Sequence, residues 1–139
     1  MITVLITASL MPARATAARP ISCPTYEKTA LAVGWPRKEI KRLSYVMARE
    51  SSCNPNAYNA ADPYGGSYSL TQLNGSNKGF FMRENLVHKS MTELFNPKKN
   101  LTAALALWKE CGWACWGFNK KGTNEYPRRK TVAHSRTVS

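Results

Sequence analysis

Aspartate is almost missing from this sequence: Asp62 is the only one in 139 residues. Histidine is nearly as scarce, with His88 and His134 alone. These shortages leave Ser51 and Ser52 without a Ser/His/Asp arrangement, so neither is a candidate nucleophile. The two histidines read as isolated surface residues. Metal chemistry has little to build on either. Cys111 and Cys115 are four apart with Gly112 between them, and no second pair at matching spacing completes a zinc set. No metal and no cofactor is therefore expected. Apart from the amino terminus the chain has no apolar stretch suited to a membrane. It also carries no helix-turn-helix, finger or RNA-binding signature.

What is abundant is positive charge. Twenty Lys and Arg stand against eight acids, giving a net charge of +12. Such an excess implies a polyanionic partner: nucleic acid, an anionic envelope polymer or a membrane surface. Part of it lies in the tail, where six basic residues and one acid follow Phe118. That tail, 119–139, is poor in large apolar residues and is expected to be disordered. Four cysteines, Cys23, Cys53, Cys111 and Cys115, are compatible with two disulfides in any of three connectivities. Disulfides imply an oxidising compartment. The segment 1–11 is apolar, and Ala15-Thr16-Ala17 resembles a cleavage site, so residues 1–18 read as a signal-like segment. Between these ends, 19–118 forms one domain with a modest core.

The spacing predicts a short helix over 26–33, stopped by Gly34. Pro36 then suits the first position of a second helix. In that helix Ile40, Leu43 and Met47 share one face, and three further residues reach Glu50. Asn, Pro and Gly recur over 54–69, where short extended pieces at 57–59 and 67–69 can pair across the turn at 62–66. Residues 70–73 read as buried, with Gln72 set among apolar neighbours, and 75–79 as a further loop. Ser90 and Glu93 have capping-box spacing. Asn96-Pro97 opens the last helix, with Leu101, Ala104, Leu105 and Trp108 as its stripe and Gly112 as its stop. Trp113, Trp116 and Phe118 follow as an aromatic cluster. The expected class is α+β, mainly α, with a small hairpin beside the second helix.

Glu50 is the anomaly in this pattern. It falls on the stripe that should be buried, near the negative end of a helix. Both circumstances disfavour a charged carboxylate and favour one that holds its proton, as a general acid must. The plainer alternative is a glutamate that caps the helix end and faces solvent.

The residues around Glu50 resemble a known family. Glu50-Ser51-Ser52 followed by Asn54-Pro55-Asn56-Ala57 is similar to the Glu-Ser-x-x-Asn-Pro-x-Ala motif of soluble lytic transglycosylases and goose-type lysozymes. The segment from Gly66 through Ser67, Tyr68, Ser69, Leu70, Thr71, Gln72 and Leu73 to Asn74 resembles their Gly-Ser-Tyr-Gly-Leu-x-Gln-Ile-Asn segment. Leu94-Phe95-Asn96-Pro97, Asn100-Leu101, and Gly112-Trp113 with Trp116 resemble the closing helix and Gly-Trp-x-x-Trp ending of small phage and actinobacterial members. Ser69 departs from the pattern, standing where the family has Gly at a place that can demand an unusual dihedral. The Ala-Tyr-Asn-Ala-Gly motif of larger members is absent.

The resemblance implies a lysozyme-like fold and cleavage of the β-1,4 bond between N-acetylmuramic acid and N-acetylglucosamine in peptidoglycan. Glu50 would be the general acid. Ser67, Tyr68, Gln72, Asn74, Trp113 and Trp116 would bind substrate, the amides through hydrogen bonds and the aromatics as platforms. Each has a plainer alternative, the amides as partners of loop backbone and the aromatics as core. Asp62 is the candidate second carboxylate for hydrolysis, or simply a turn opener. Without a second carboxylate, attack by the muramic 6-hydroxyl remains, the transglycosylase outcome. The implied partners are glycan strands and anionic envelope polymers, with no specific nucleic acid, and the chain is expected to be a monomer. It would act outside the cell or in a phage particle. Two other readings stay open: a non-catalytic wall-binding or virion structural protein on this fold, and a basic nucleic-acid-binding protein.

Overall fold

A computed structural model describes residues 18–118. The signal-like segment, but for its last residue, and the whole basic tail with His134 lie outside the described residues. Four α-helices and a small sheet follow in the order α1 (Pro24–Ala32), α2 (Ile40–Ser51), β1 (Tyr58–Asn59), β2 (Ser67–Tyr68), β3 (Leu73–Asn74), α3 (Lys78–Arg83) and α4 (Pro97–Cys111). Single 3-10 turns lead into α2, α3 and α4, and another follows α4 over Gly112–Trp116. This is the mainly helical α+β arrangement expected. No helix among the described residues is long and apolar enough to cross a membrane.

The apolar members of the α2 stripe are buried as expected. Ile40, Leu43, Val46, Met47 and Ala48 are buried and meet Leu101, Ala103 and Ala104 of α4 in one core with Leu70, Leu73, Phe81 and Leu94. Each large apolar side chain taken fully out of water contributes about 1.5 to 3 kcal/mol. Trp35 closes the core at the edge of α4, where its indole N–H donates to the Leu101 carbonyl at 2.9 Å.

The helix starts differ in detail from expectation. Helix α1 begins two residues early because Pro24 occupies its first turn, where a missing N–H costs nothing. Pro36 is not the first helical residue. It is extended, with φ −60° and ψ 133°, and caps a 3-10 turn, Arg37–Glu39, from which α2 grows. The stretch expected as a loop at 75–79 is instead a 3-10 turn followed by α3. The Asn74 side chain caps that turn by accepting from the Ser76 N–H, and Phe81 anchors α3 in the core. The capping box at Ser90 and Glu93 forms, though on a 3-10 turn, Met91–Phe95.

The expected hairpin is present and a third strand joins it. Tyr58 pairs with Tyr68 and Asn59 with Ser67, while Ser67 and Tyr68 pair with Asn74 and Leu73, all antiparallel. Two-residue strands carry too little alternation to be read from sequence. The sheet stays in place through Asn100, fully buried in α4. Its amide oxygen accepts from the Thr71 N–H and hydroxyl, at 3.3 and 2.9 Å, and its nitrogen donates to the Tyr68 carbonyl at 3.3 Å.

The cysteines pair as Cys23–Cys53 and Cys111–Cys115. The first bridge spans 30 residues and joins the start of α1 to the turn just beyond α2. Replacing both Cys23 and Cys53 by Ser is expected to lower stability by about 3 to 4 kcal/mol, the loop-closure value for that span. Denaturant unfolding measures it.

A second prediction comes from the capping box. Backbone N–H groups of Lys89 and Ser90, joined by Lys99 and the His88 N–H, hold Glu93 down at about 2, although burial opposes them. A carboxyl depressed by folding stabilises the protein above its ordinary value of 4.5 and loses that contribution as pH falls through the folded value. Thermal unfolding of wild type and Glu93→Gln should therefore differ fully above about pH 5 and converge toward about pH 2.

Candidate active site

Helix α2 delivers Glu50 in its last turn. The helix ends there because Ser52 and Cys53 both take left-handed backbone, at φ 54° and 62°. Their N–H groups return to the Ala48 and Met47 carbonyls. Arg19 covers this negative helix end, donating from Nη2 to the Arg49 carbonyl at 3.3 Å and from Nε to the Ser52 hydroxyl at 3.1 Å.

Glu50 is half-buried, its side chain 21% exposed. The dry surroundings foreseen for it are not what it has. Its partner is a cation: the Arg49 guanidinium donates to Oε1 from Nε at 3.0 Å and again, more closely, from Nη2. No donor among the described residues reaches Oε2. Arg49 is itself held in place. Nη2 also donates to the Trp116 carbonyl at 2.7 Å, and the guanidinium lies 4.7 Å from the centre of the Phe118 ring. Sequence reasoning missed Arg49, because adjacent helical residues do not normally face each other.

The Gly-Ser-Tyr segment forms the other half of the site. Ser69 adopts φ 66° and Gln72 φ 50°, so a tight reversal carries β2 into β3. The unusual dihedral foreseen at Ser69 is thus present, in a residue with a Cβ. Gln72 donates its amide N–H groups to the Ala57 and Ser69 carbonyls, at 3.2 and 2.9 Å, bracing the strained turn. Gly66 faces the Tyr58 ring so closely that an added Cβ would lie 2.6 Å from it.

Asp62, Ser67 and Asn74 come together as one cluster. Asp62 Oδ2 accepts from the Ser67 hydroxyl at 2.8 Å and from the Asn74 amide at 2.5 Å, while Oδ1 accepts from the Tyr64 N–H at 2.9 Å. With Asn74 also capping the next turn, all three spend their hydrogen-bonding groups on the loop itself. This is the turn-opening role for Asp62 and the loop-bracing role for the other two.

The tryptophans are a correction. Trp113 and Trp116, candidates for sugar platforms, are only 7% and 3% exposed. Trp113 stacks on Trp35 at 5.6 Å and donates to Glu39 at 2.7 Å, while Trp116 donates to the Thr71 carbonyl at 2.8 Å. Both belong to the core because the 3-10 turn after α4 folds them back over it. The surface aromatics are elsewhere. Tyr58, 53% exposed, lies 4.9 Å from Tyr68, which in turn lies 5.8 Å from Phe95. Burial, and then the hydroxyl of Tyr58 beside it, push the Tyr68 phenol above its ordinary range. Tyr58 was not foreseen, since it sits in a strand of two residues outside any matching motif. His88 is exposed, as expected.

Glu50 and the loop are connected through Trp116, whose carbonyl takes Arg49 and whose indole holds Thr71. A separate groove of about 320 Å³, lined by Asn85, Leu86, His88, Lys98, Lys99 and Thr102, contains none of these residues. Among the described residues no group of three or more His, Cys, Asp or Glu is placed to hold a metal ion.

The arrangement is one part-buried carboxylate with a fixed cation on one oxygen, beside a braced and strained loop. Such a pair can donate and recover a proton at the other oxygen, which no donor among the described residues reaches. A family model described as transglycosylase SLT domain matches residues 35–112, from Trp35 to the end of α4. Among curated proteins and among solved structures no significant match is found.

One prediction belongs to the loop. Left-handed backbone costs a residue with a Cβ about 1 to 2 kcal/mol, and the buried Ser69 hydroxyl has no hydrogen-bond partner among the described residues. Against the extra chain entropy of glycine, Ser69→Gly should raise stability by about 1 to 2 kcal/mol, seen as a higher melting temperature.

Proposed function

The chain belongs to the transglycosylase SLT domain family, and from that premise we propose that it cleaves the β-1,4 bond between N-acetylmuramic acid and N-acetylglucosamine in peptidoglycan, with Glu50 as general acid and then general base. The observation that carries this reading is the position of Glu50: inside the matched span, in the last turn of α2, half-buried, with one carboxylate oxygen that no donor among the described residues reaches.

In this scheme Glu50 gives its proton to the glycosidic oxygen as the bond to the muramic C1 breaks. The glucosamine end leaves with a hydroxyl at C4, and positive charge develops at C1 and the ring oxygen. The electron pair that then closes on C1 comes from the muramic 6-hydroxyl or from water, whose proton returns to the Glu50 carboxylate. The first route gives an anhydro end and the second a reducing end.

Asp62 bears on which route is followed. A hydrolase that uses a second carboxylate needs that group free to meet water or the sugar. Asp62 accepts from Tyr64, Ser67 and Asn74 instead. Intramolecular attack needs no such group, so the lytic transglycosylase outcome is favoured. Gln72 has both amide N–H groups engaged with backbone, which leaves its oxygen as the group that would accept from a sugar hydroxyl or acetamide. Tyr68 keeps the platform role foreseen for it, with its neighbour Tyr58 in place of the tryptophans. The net charge of +12 suits an anionic envelope, and the place of action is outside the cell or in a phage particle.

A cell-wall suspension tests the proposal. Wild type should clear it, and Glu50→Gln should clear it about 100-fold more slowly or worse, the weight of a positioned general acid. Equal clearing by both would remove Glu50 from the mechanism. Mass spectrometry of the released muropeptides should show anhydro-muramic ends; reducing ends alone would assign hydrolysis. Binding to the wall without any clearing by wild type would support the non-catalytic reading.

A further inference from the structure

We propose that Arg49 is a positioning residue that fixes which oxygen of Glu50 carries the catalytic proton. The inference rests on the reading of Glu50 as the acid.

Its basis is an asymmetry in the ion pair. A guanidinium facing a carboxylate commonly gives one N–H to each oxygen. Here Nε and Nη2 both address Oε1, and no donor among the described residues reaches Oε2. Arginine has five N–H donors and no acceptor. A proton on Oε1 would therefore point an O–H at two N–H groups, whereas a proton on Oε2 leaves Oε1 as the acceptor both donors require. The protonated acid has one workable arrangement, with its hydrogen on Oε2.

Arg49 is anchored well enough to impose this. Nη2 donates to the Trp116 carbonyl at 2.7 Å, and the guanidinium packs 4.7 Å from the Phe118 ring centre. Both contacts come from the turn after α4 and from Phe118 just past it, so the cation does not simply follow the motion of α2. The same geometry serves both halves of the reaction. Oε2 hands its proton to the leaving oxygen. The carboxylate that remains is held at Oε1 by the guanidinium, and Oε2 then takes the proton of the incoming hydroxyl. No covalent bond to Arg49 forms and its charge does not change.

Steady-state kinetics on purified glycan strands test this, with melting temperatures measured alongside. Arg49→Met should lower kcat by about 10- to 100-fold while KM changes less than about threefold, because proton transfer loses its alignment and the sugar contacts do not. Arg49→Lys, which offers a single ammonium in place of the fork, should fall between the two. Guanidinium ion added at tens of millimolar should restore part of the Arg49→Met rate and leave wild type unchanged. An Arg49→Met protein with wild-type kcat, while Glu50→Gln is inactive, overturns the inference and leaves Glu50 as the acid. So does a lost kcat that guanidinium does not restore in a protein whose melting temperature has dropped steeply, which assigns Arg49 to the fold. Full activity in Glu50→Gln, or none in wild type, overturns the underlying reading and the inference with it.

Discussion

One residue, Trp116, joins the two halves on which the chemistry would depend. Its carbonyl receives the Arg49 guanidinium and its indole N–H holds the Thr71 carbonyl. Thr71 is fastened in turn to Asn100, fully buried in α4. Helix α2 and the β2–β3 turn share no hydrogen bond between Glu50 and Gln72. They are positioned by a third element, the 3-10 turn after α4. A buried network of this kind is strong when every member is satisfied, because low local polarity strengthens each bond and raises the cost of leaving one unmade. It also explains why the residues past the matched span matter: Trp113, Trp116 and Phe118 close over the core from beyond residue 112.

Polar side chains in the loop act first on one another. Asp62 gathers Ser67, Asn74 and the Tyr64 N–H, and Gln72 ties Ala57 to Ser69. A loop of Asn, Gly and Ser residues has no core of its own and loses much chain entropy on ordering. Each side-chain bond to backbone reduces that freedom, so the atoms that would face a sugar come already placed. Pre-placement is worth more to a catalyst than additional contacts, since misplacement of about 1 Å can cost 100-fold in rate.

The sequence made the helices legible because their signals are periodic and long. Glu50 stands out as the fourth member of a stripe begun by Ile40, and Ser90 with Glu93 marks a cap by spacing alone. Its limits have equally physical causes. Strands of two residues contain a single alternation, so β3 was invisible. Capping by Asn74 from within a strand, which starts α3, has no local spacing rule. Tryptophans near a motif read as platforms until the backbone shows which way the chain turns, and here it turns inward. The Arg49–Glu50 pair was hidden because neighbours one apart on a helix diverge, and only the long arginine side chain, pulled round by Trp116, closes the gap.

The distribution of strain points to the same place as the hydrogen bonds. Among the described residues five without glycine's freedom have positive φ, and four of them, Ser52, Cys53, Ser69 and Gln72, lie in the two segments that would meet the substrate. Each such residue costs about 1 to 3 kcal/mol and persists only where its surroundings over-determine it. The surroundings do so here: a disulfide holds Cys53, Arg19 holds Ser52, and Gln72 braces both itself and Ser69 through its own amide. A fold selected for stability alone would put glycine at such sites. The chain instead spends a cross-link and side-chain bonds on keeping them bent, and so holds the shape of these two turns at a cost in stability.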